Sequence, residues 1–347
     1  MSSLAISSLR SRAKLVSGRR RIVLPEWKDS RVLHAASDCN SLGLAEIVLL
    51  GNKESIWSLA NQYGVKSLSG IRVFDANKED DLIDGFSEKL FKRRGGKDLK
   101  SLDVARLKIL SNPLYLGNSL LAGGLVDGQV SGSISTTADV VRSALHCLGT
   151  ARGISTVSSF MIMARDSDAF IFTDPALVVA PSPEQLADIA LSAADSCRNV
   201  LNLEPIVAML SFSTRDSASH MLVDRVKEAV EIVKRKNPDL VVDGEMQFDA
   251  AWDVEVASRK APGSKVGGRA NVFVFPDLNS GNIGYKIAER LGGFQAVGPI
   301  MQGFAKPSND LSRGCQVKDI VDSVAVTVLQ AQNNEAVLKE CNFDIFS

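Results

Sequence analysis

The sequence has few residues of the kinds that define several common protein classes. Its 347 residues include three histidines and five cysteines, and no Cys-x-x-Cys pair or Cys/His spacing typical of a zinc site occurs. No window approaches the ~18 consecutive apolar residues that span a bilayer. The first 21 residues are cationic but lack the apolar stretch of a secretory signal. These absences favour a cytoplasmic enzyme with reduced cysteines, no metal site and no membrane association.

An excess of charge of one sign is also missing, because 40 Lys and Arg balance 40 Asp and Glu. Proteins that bind nucleic acid or a membrane surface usually need an excess of Lys and Arg. The balance therefore argues against both partners. It leaves room for a small anionic ligand, which needs only a few local cations. The length predicts about two domains.

Generic nucleotide and hydrolase motifs are absent as well. The sequence contains no G-x-G-x-x-G and no G-x-x-x-x-G-K-[ST], so simple Rossmann dinucleotide binding and P-loop chemistry lose support. It contains no G-x-S-x-G elbow and no H-E-x-x-H. Catalysis must come from a less generic group of residues.

Short apolar runs alternate along the chain with helical patterns. Ser182-Pro183-Glu184-Gln185 predicts a helix start with an N-cap, a proline at the first helical position and a capping-box glutamine. Further amphipathic helices are predicted after residue 221, ending at Asn237-Pro238, and over about 316–330. This alternation predicts an α/β fold with helices on both faces of mostly parallel sheets. The predicted strands are 21–24, 46–50, 71–74, 128–132, 169–173, 177–180, 206–211, 240–243, 271–275 and 296–300.

A first candidate site lies in residues 309–319, before the last predicted helix. Ser312, Arg313 and Asp319 supply a hydroxyl, a guanidinium and a carboxylate there, and a helix N-terminus favours an anion. Arg313 suits a phosphate, and Ser312 suits a carbonyl oxygen that gains charge. Asp319 could instead only complement the helix dipole, an effect of ~0.3–1 kcal/mol. Cys315 has no histidine nearby in sequence to activate it, which favours a packing role.

Two further segments offer donors for an anion. Residues 130–142 run from a strand into a Gly/Ser/Thr-rich loop and a helix that carries Arg142, a pattern that presents backbone N–H groups and hydroxyls. A capped helix start with a surface arginine would give the same pattern. Residues 92–97 form a basic cluster, which is more commonly a solvated helix end.

Six segments together carry a resemblance to a known family. The chain resembles the phosphate acetyltransferase (phosphotransacetylase) family over nearly its whole length. Many members have His where this chain has Ser135 and Pro where it has Ser143, so no role of that His is carried over. The six segments are NPLYLG (112–117), SGSISTTADVVR (131–142), PSPEQLADIAL (181–191), VVDGEMQFDAA (241–251), KAPGSKVGGRANVFVFPDLNSGNIGYK (260–286) and VGPIMQGFAKPSNDLSRGC (297–315).

The resemblance implies a two-domain subunit with an isocitrate/isopropylmalate dehydrogenase-like fold. Domain I would comprise residues 1–152 and 307–347, domain II residues 153–306, and the active site would lie in the cleft between them. The implied reaction is acetyl-CoA + phosphate ⇌ CoA + acetyl phosphate. Coenzyme A and acetyl-CoA are then substrates, with no covalently bound cofactor. The subunit would form a homodimer.

The family's catalytic residues match three positions of the first segment. Asp319 would accept the proton of the CoA thiol, whose sulfur attacks acetyl phosphate directly in a ternary complex. Ser312 would hydrogen-bond the developing oxyanion, and Arg313 would hold the phosphoryl group.

The family's substrate-binding residues match positions in the other two segments. Arg142 and Arg94 match arginines linked to CoA or phosphate binding, although the second match could shift to Arg93. Thr136 and Thr137 are assigned to substrate or CoA binding as well.

Three alternatives remain open at this point. The nearest is a phosphate acyltransferase that prefers longer chains, such as propionyl or butyryl. A decarboxylating hydroxyacid dehydrogenase on the same fold would need nicotinamide binding and a carboxylate cluster for a divalent metal, and no convincing cluster is present. A non-catalytic two-lobed binding protein is the third.

Overall fold

The computed structural model describes residues 3–16 and 18–332 of the chain. Its strands are β1 (Arg21–Leu24), β2 (Glu46–Leu50), β3 (Arg72–Phe74), β4 (Gly128–Ser131), β5 (Ser158–Arg165), β6 (Asp168–Thr173), β7 (Ile206–Leu210), β8 (Val241–Met246), β9 (Val272–Val274), β10 (Gln295–Gln302) and β11 (Ser308–Asp310). Its α-helices are α1 (Leu4–Leu15), α2 (Ser30–Ser41), α3 (Lys53–Gln62), α4 (Asp80–Arg94), α5 (Leu102–Ser111), α6 (Pro113–Gly123), α7 (Thr137–Cys147), α8 (Pro183–Ser196), α9 (Met221–Lys236), α10 (Phe248–Trp252), α11 (Val254–Lys260), α12 (Leu278–Arg290) and α13 (Val317–Ala331). A 3-10 helix covers Ala76–Lys78, and a π-helical turn, Cys197–Leu201, follows α8.

The described residues form two compact units. Unit I consists of Arg10–Gly149 and residues 304–332, and unit II of residues 3–9 and Thr150–Gly303. The predicted domain I includes all of residues 1–152, whereas residues 3–9 and 150–152 group with unit II. There the Ser3 amide donates to the Gln295 side chain at 2.7 Å, and the Ala5 amide donates to the carbonyl of Asp166 at 3.0 Å.

Unit I contains a five-stranded sheet in the order β11-β4-β1-β2-β3. All four strand pairs are parallel. β1, β2 and β4 are buried almost throughout, as expected for parallel strands that helices cover on both faces. The carboxyl ends of all five strands therefore lie at one edge of the sheet.

Unit II contains a six-stranded sheet in the order β10-β5-β6-β9-β7-β8. β5 pairs antiparallel with β10 and β6, and the remaining pairs are parallel. Phe172 and Phe273 are buried in a cluster with Met161, Met163 and Met246. The two sheets together confirm the predicted α/β class with mostly parallel strands. The dehydrogenase-like architecture stays a prediction.

The helix punctuation predicted from sequence is confirmed at several ends. Ser182 caps α8 in a capping box with Gln185, and Pro183 occupies the first turn. α9 ends with Asn237 as its C-cap. α13 spans Val317–Ala331, with its first turn at the predicted position. No helix among residues 3–16 and 18–332 is long and apolar enough to cross a bilayer.

Residues 177–180 do not form the predicted strand. They belong to a loop that wraps around the buried carboxylate of Asp174, which accepts hydrogen bonds from the amides of Ala176 at 3.0 Å, Leu177 at 3.2 Å and Val178 at 2.7 Å. These amides are therefore not available to a sheet ladder, which is why an apolar segment adopts a turn.

Candidate active site at the edge of the parallel sheet

Three loops leave the unit I sheet side by side, beyond the carboxyl ends of β1, β4 and β11. They cover residues 25–29, 132–136 and 311–316. The strand order reverses at β1, since β2 and β3 extend the sheet to one side and β4 and β11 to the other. In open parallel sheets, ligands usually bind beyond the carboxyl ends at such a reversal. The three loops therefore define the candidate site.

Glu26, in the first loop, is enclosed by the second loop. One carboxylate oxygen accepts hydrogen bonds from the amides of Gly132 at 2.6 Å and Ser133 at 2.8 Å and from the Ser133 hydroxyl at 3.2 Å. The other accepts from the Ser135 amide at 2.9 Å. Converging backbone N–H groups of this kind form an anion-binding nest. The sequence predicts that this loop binds an anion. In the structure the amides of the loop bind the carboxylate of Glu26, a residue that is only 3% exposed.

Asp310 ends β11 next to this nest. Its Oδ2 accepts a hydrogen bond from the Thr137 hydroxyl at 2.6 Å, while its buried Oδ1 has no hydrogen-bond partner in the described part of the chain. Burial raises the pKa of Asp310 to about 6; the Thr137 hydrogen bond opposes this shift, and the charge of Glu26 adds to it. Asp310 is therefore a carboxyl group that changes charge close to neutral pH.

We expect Asp310 to make the stability of the fold depend on pH. Between the ordinary carboxyl pKa near ~4 and about 6, the folded state holds a proton that the unfolded chain has released. Its contribution to the free energy of unfolding therefore rises as pH falls through this window, by at most about 1.4 kcal/mol per pH unit. Asp310→Asn cannot take up this proton, so the melting temperature of the wild type should rise relative to this variant from about pH 7.5 to about pH 5.

Thermal unfolding at both pH values checks this expectation, with Asp103→Asn, an exposed residue in the first turn of α5, as the control. A difference between the wild type and Asp310→Asn that stays constant with pH would contradict it.

The two threonines of the second loop have hydrogen-bond partners within the chain. Thr137 donates to Asp310, as described. Thr136 caps α7, where its hydroxyl accepts from the Asp139 amide at 3.2 Å and donates to the Asp139 carboxylate at 2.7 Å. Their assignment to substrate binding stays a prediction.

The third loop and the first turn of α13 present the predicted catalytic side chains to solvent. Ser312, Arg313 and Asp319 are all exposed. The Ser312 Oγ accepts from the Gly314 amide at 3.2 Å, and the Arg313 guanidinium has no hydrogen-bond partner among the described residues. Asp319 accepts from the Gln316 amide at 2.8 Å in a capping box, so the helix-start role considered from sequence is present. An ionised carboxylate has about four acceptor sites, which leaves Asp319 able to accept a proton.

Cys315 has the properties of a packing residue. It is 4% exposed, and burial raises the pKa of its thiol, while the charge of Arg31 opposes this shift. Since the thiolate is the nucleophilic form of cysteine, a raised pKa does not favour covalent catalysis by Cys315.

Arg94 and Arg142 are both near His146 in unit I. Arg94 Nε donates to the Asp98 carboxylate at 2.9 Å, and Arg142 pairs with Asp139 at 2.8 Å. Burial lowers the pKa of His146, and the charges of Arg94 and Arg142 act in the same direction while Asp98 opposes them. The structure thus brings together two cations that the sequence placed on separate helices.

Arg93 and Arg94 have different surroundings. The Arg93 guanidinium donates to the backbone carbonyls of Cys147 and, at 2.9 Å, of Leu148, at the end of α7. Arg94 instead faces the Asp98 carboxylate. Both arginines therefore have partners within the chain, and the choice between Arg93 and Arg94 as the match to the family's arginine stays a prediction.

A cleft of about 430 Å³ adjoins the first two loops. Glu26 and Ile134 contribute to its wall, with Trp27, Gly51 and Asp75 beyond the ends of β1, β2 and β3. Its size and its mixture of apolar and polar groups are those of a small-molecule site. Among the residues that the structure describes, no group of three or more His, Cys, Asp or Glu side chains is arranged to hold a metal ion.

Sequence reasoning missed two residues of this site, Glu26 and Arg31. Arg31, in the first turn of α2, donates to backbone carbonyls of both neighbouring loops. The one signal in the sequence is that a charged segment, residues 26–31, directly follows an apolar strand.

Known relatives place this arrangement in an enzyme class. A phosphate acetyltransferase of Thermoanaerobacterium thermosaccharolyticum is 45% identical over 333 residues, which cover 94% of this chain and 99% of the relative. A phosphate acetyltransferase of Bacillus subtilis is 42% identical, with 90% of this chain and 94% of the relative covered. Fold, site and relatives together define an acyltransferase.

Solved structures and a family model make the assignment specific. The chain superimposes on a phosphotransacetylase from Streptococcus pyogenes with a TM-score of 0.87 and 43% identity, over 95% of this chain and 99% of the other. For the EutD phosphotransacetylase from Staphylococcus aureus the TM-score is 0.86 at 39% identity, with 94% and 99% covered. The model of the family described as phosphate acetyl/butaryl transferase matches residues 4–328. The chain belongs to this family, which sets aside the dehydrogenase and the binding protein.

Proposed function

We propose that the chain transfers an acetyl group reversibly between coenzyme A and phosphate, so that acetyl-CoA and phosphate give CoA and acetyl phosphate. The observation that carries the proposal is that the third loop and the first turn of α13 expose Ser312, Arg313 and Asp319 at the carboxyl edge of the parallel sheet. These side chains supply the donor, the cation and the base that this reaction requires. The substrates are small molecules, and no covalently held cofactor takes part.

In the proposed mechanism, the CoA thiol attacks the carbonyl carbon of acetyl phosphate in a ternary complex. Asp319 accepts the thiol proton while the new C–S bond forms. The Ser312 hydroxyl donates to the carbonyl oxygen, where negative charge develops. Arg313 holds the phosphoryl group through its planar fork and balances the charge of the departing phosphate. When the C–O bond breaks, thioester and phosphate are released.

The proton transfer needs assistance from neighbouring charge. An ordinary carboxyl group is more acidic than an ordinary thiol by about 4.6 pKa units, so complete transfer in water would cost about 6 kcal/mol. Arg313 is exposed on the loop that leads into α13, and a guanidinium near the sulfur stabilises a thiolate. Proton transfer that accompanies the attack, rather than preceding it, reduces the cost further.

We propose that Arg142 and Arg94 bind the anionic part of CoA or phosphate. The Arg142 side chain is exposed and forms an i,i+3 ion pair with Asp139. A ligand anion can therefore contact its guanidinium. Arg94 lies near His146, as Arg142 does, so both guanidinium groups can contribute to one anion-binding region.

Replacing Arg142 by Ala should raise the apparent KM for CoA or acetyl phosphate by about 10-fold, as expected for the loss of one charged hydrogen bond. Steady-state kinetics with each substrate varied in turn measures the effect. Arg198→Ala is the matched control, because Arg198 forms an i,i+3 pair with Asp195 in unit II. Unchanged KM values for Arg142→Ala would remove this residue from the binding site.

The function itself is tested by the release of free CoA from acetyl-CoA, followed with a thiol reagent. We expect release that depends on added phosphate. Release without phosphate, or no release, would contradict the proposal. Comparing kcat/KM for acetyl, propionyl and butyryl phosphate separates an acetyltransferase from an enzyme that prefers longer acyl chains.

The assembly and location of the enzyme are further proposals. The subunit forms a homodimer and works in the cytoplasm, on small-molecule substrates rather than on nucleic acid. The expected interdomain position of the active site stays a prediction. Analytical ultracentrifugation of the full chain would test the dimer.

A further inference from the structure

The Arg31 side chain links all three loops of the candidate site. Its Nη1 donates to the backbone carbonyls of Arg313 at 2.8 Å and Cys315 at 2.7 Å. Its Nη2 donates to the carbonyl of Ser133 at 3.0 Å and to the Asp29 carboxylate at 2.6 Å. Nε donates to the same carboxylate at 3.1 Å. All five N–H donors of the guanidinium therefore have acceptors.

The charge of Arg31 is neutralised within the site. Asp29 is 8% exposed at its side chain and Arg31 is 28% exposed. Burial by itself would raise the pKa of Asp29, but the hydrogen bonds and charge of Arg31 outweigh burial and hold this pKa below its ordinary value. Since the pair is ionised and mutually satisfied, Arg31 is not available as an anchor for a substrate phosphate.

The two carbonyls that accept from Nη1 flank Gly314, next to the exposed Ser312 and Arg313 side chains. Two backbone hydrogen bonds also constrain this loop, from the Leu311 amide to Ser131 at 2.7 Å and from the Cys315 amide to Ser312 at 2.9 Å. Neither involves the carbonyls of residues 313 and 315. Arg31 is the side chain that fixes these two peptide groups, and hence the direction in which the loop points its functional groups.

We propose that Arg31 is a positioning residue for the acyl transfer: it holds the loop of Ser312 and Arg313 in its productive geometry without touching a substrate. This role rests on the proposed function of that loop. A displacement of about 1 Å in a reacting group costs ~10²-fold in rate, because the preorganised geometry is lost. Substrate affinity depends on other groups, including Arg94 and Arg142, so the loss should appear in kcat and not in KM.

The experiment compares Arg31→Lys and Arg31→Ala with the wild type. A lysine ammonium is a compact point charge and cannot reproduce the planar fork that reaches both loops. We expect both variants to lower kcat by about 10–100-fold, with KM for CoA and acetyl phosphate within about 3-fold of the wild type. Added guanidinium ion at millimolar concentration should restore part of the activity of Arg31→Ala, since it refills the vacated position.

Arg106→Ala is the matched control. Arg106 is another ion-paired arginine of unit I, with Asp80 and Asp84 as its partners, but it lies on helix α5 and forms no hydrogen bond to a loop of the site. Its kcat should equal that of the wild type. Melting temperatures of all variants show whether each is folded, and Arg31→Lys supplies the answer if Arg31→Ala does not fold.

The outcomes separate the two proposals. A folded Arg31→Lys with wild-type kcat, or one whose loss lies in KM, overturns the positioning role while leaving the function intact. Absence of guanidinium rescue in a folded Arg31→Ala also counts against it. A wild-type chain without phosphate-dependent CoA release overturns the proposed function and, with it, this role.

Discussion

Replacing Asp319 by Asn should lower kcat by about 10²–10⁴-fold, while the apparent KM for CoA stays nearly unchanged. An asparagine at this position retains an oxygen that can accept the Gln316 amide, so the capping box of α13 persists. The substitution therefore removes the proposed base and its charge but keeps the start of the helix. Steady-state kinetics in the CoA-release direction and in the reverse direction measures the loss.

Cys315→Ala is the control for this variant, because Cys315 lies on the loop that leads into α13 and we expect its loss to change kcat by no more than a few-fold. Near-wild-type turnover in Asp319→Asn would show that another group accepts the thiol proton. Complete inactivity of a folded Cys315→Ala would revive covalent catalysis.

Replacing Gly132 by Ala should destabilise the fold by about 2–6 kcal/mol, since backbone strain and overpacking each cost about 1–3 kcal/mol. Gly132 has φ +106°, and a Cβ there would overlap Oδ1 of Asp310 and lie 2.7 Å from the backbone nitrogen of Leu311. To relieve this overlap the backbone at residue 132 would have to move. That movement would pull the loop amides away from Glu26, which accepts the Gly132 amide at 2.6 Å. Urea unfolding followed by circular dichroism measures the loss of stability, and kcat should fall with it.

Gly64→Ala separates strain from overlap. Gly64 also has a positive φ, +68°, but a Cβ there would meet no atom within 4 Å, so its substitution should cost only the left-handed strain of about 1–2 kcal/mol. If Gly132→Ala and Gly64→Ala lowered the free energy of unfolding by equal amounts, the close approach of Gly132 to Asp310 and Leu311 would not contribute to the loss of stability.

Several elements with a strong local pattern could be predicted from the sequence, although the apolar strand β5 was not. β1 and β2 occupy the predicted residues 21–24 and 46–50, because continuous apolar runs are typical of strands buried on both faces. β11 was missed, since Ser308–Asp310 is polar and its buried Asn309 is satisfied by Thr327 and Gln330. The strand predicted at the apolar segment 177–180 was wrong, because amides of that loop donate hydrogen bonds to the Asp174 carboxylate and not to a neighbouring strand.

The sequence by itself determined the α/β class, the family resemblance and the identity of the exposed residues Ser312, Arg313 and Asp319, which side-chain chemistry makes recognisable. Only the tertiary structure decided that Glu26 occupies the expected anion nest, that Asp310 is buried beside it, and that Arg31 hydrogen-bonds to all three loops of the candidate site. Arg31 and Arg313 are 282 residues apart in the chain. In these contacts a side chain bonds to a backbone amide or carbonyl. Because nearly every residue carries both groups, the sequence does not show which backbone group will be the partner. Folding alone brings them together.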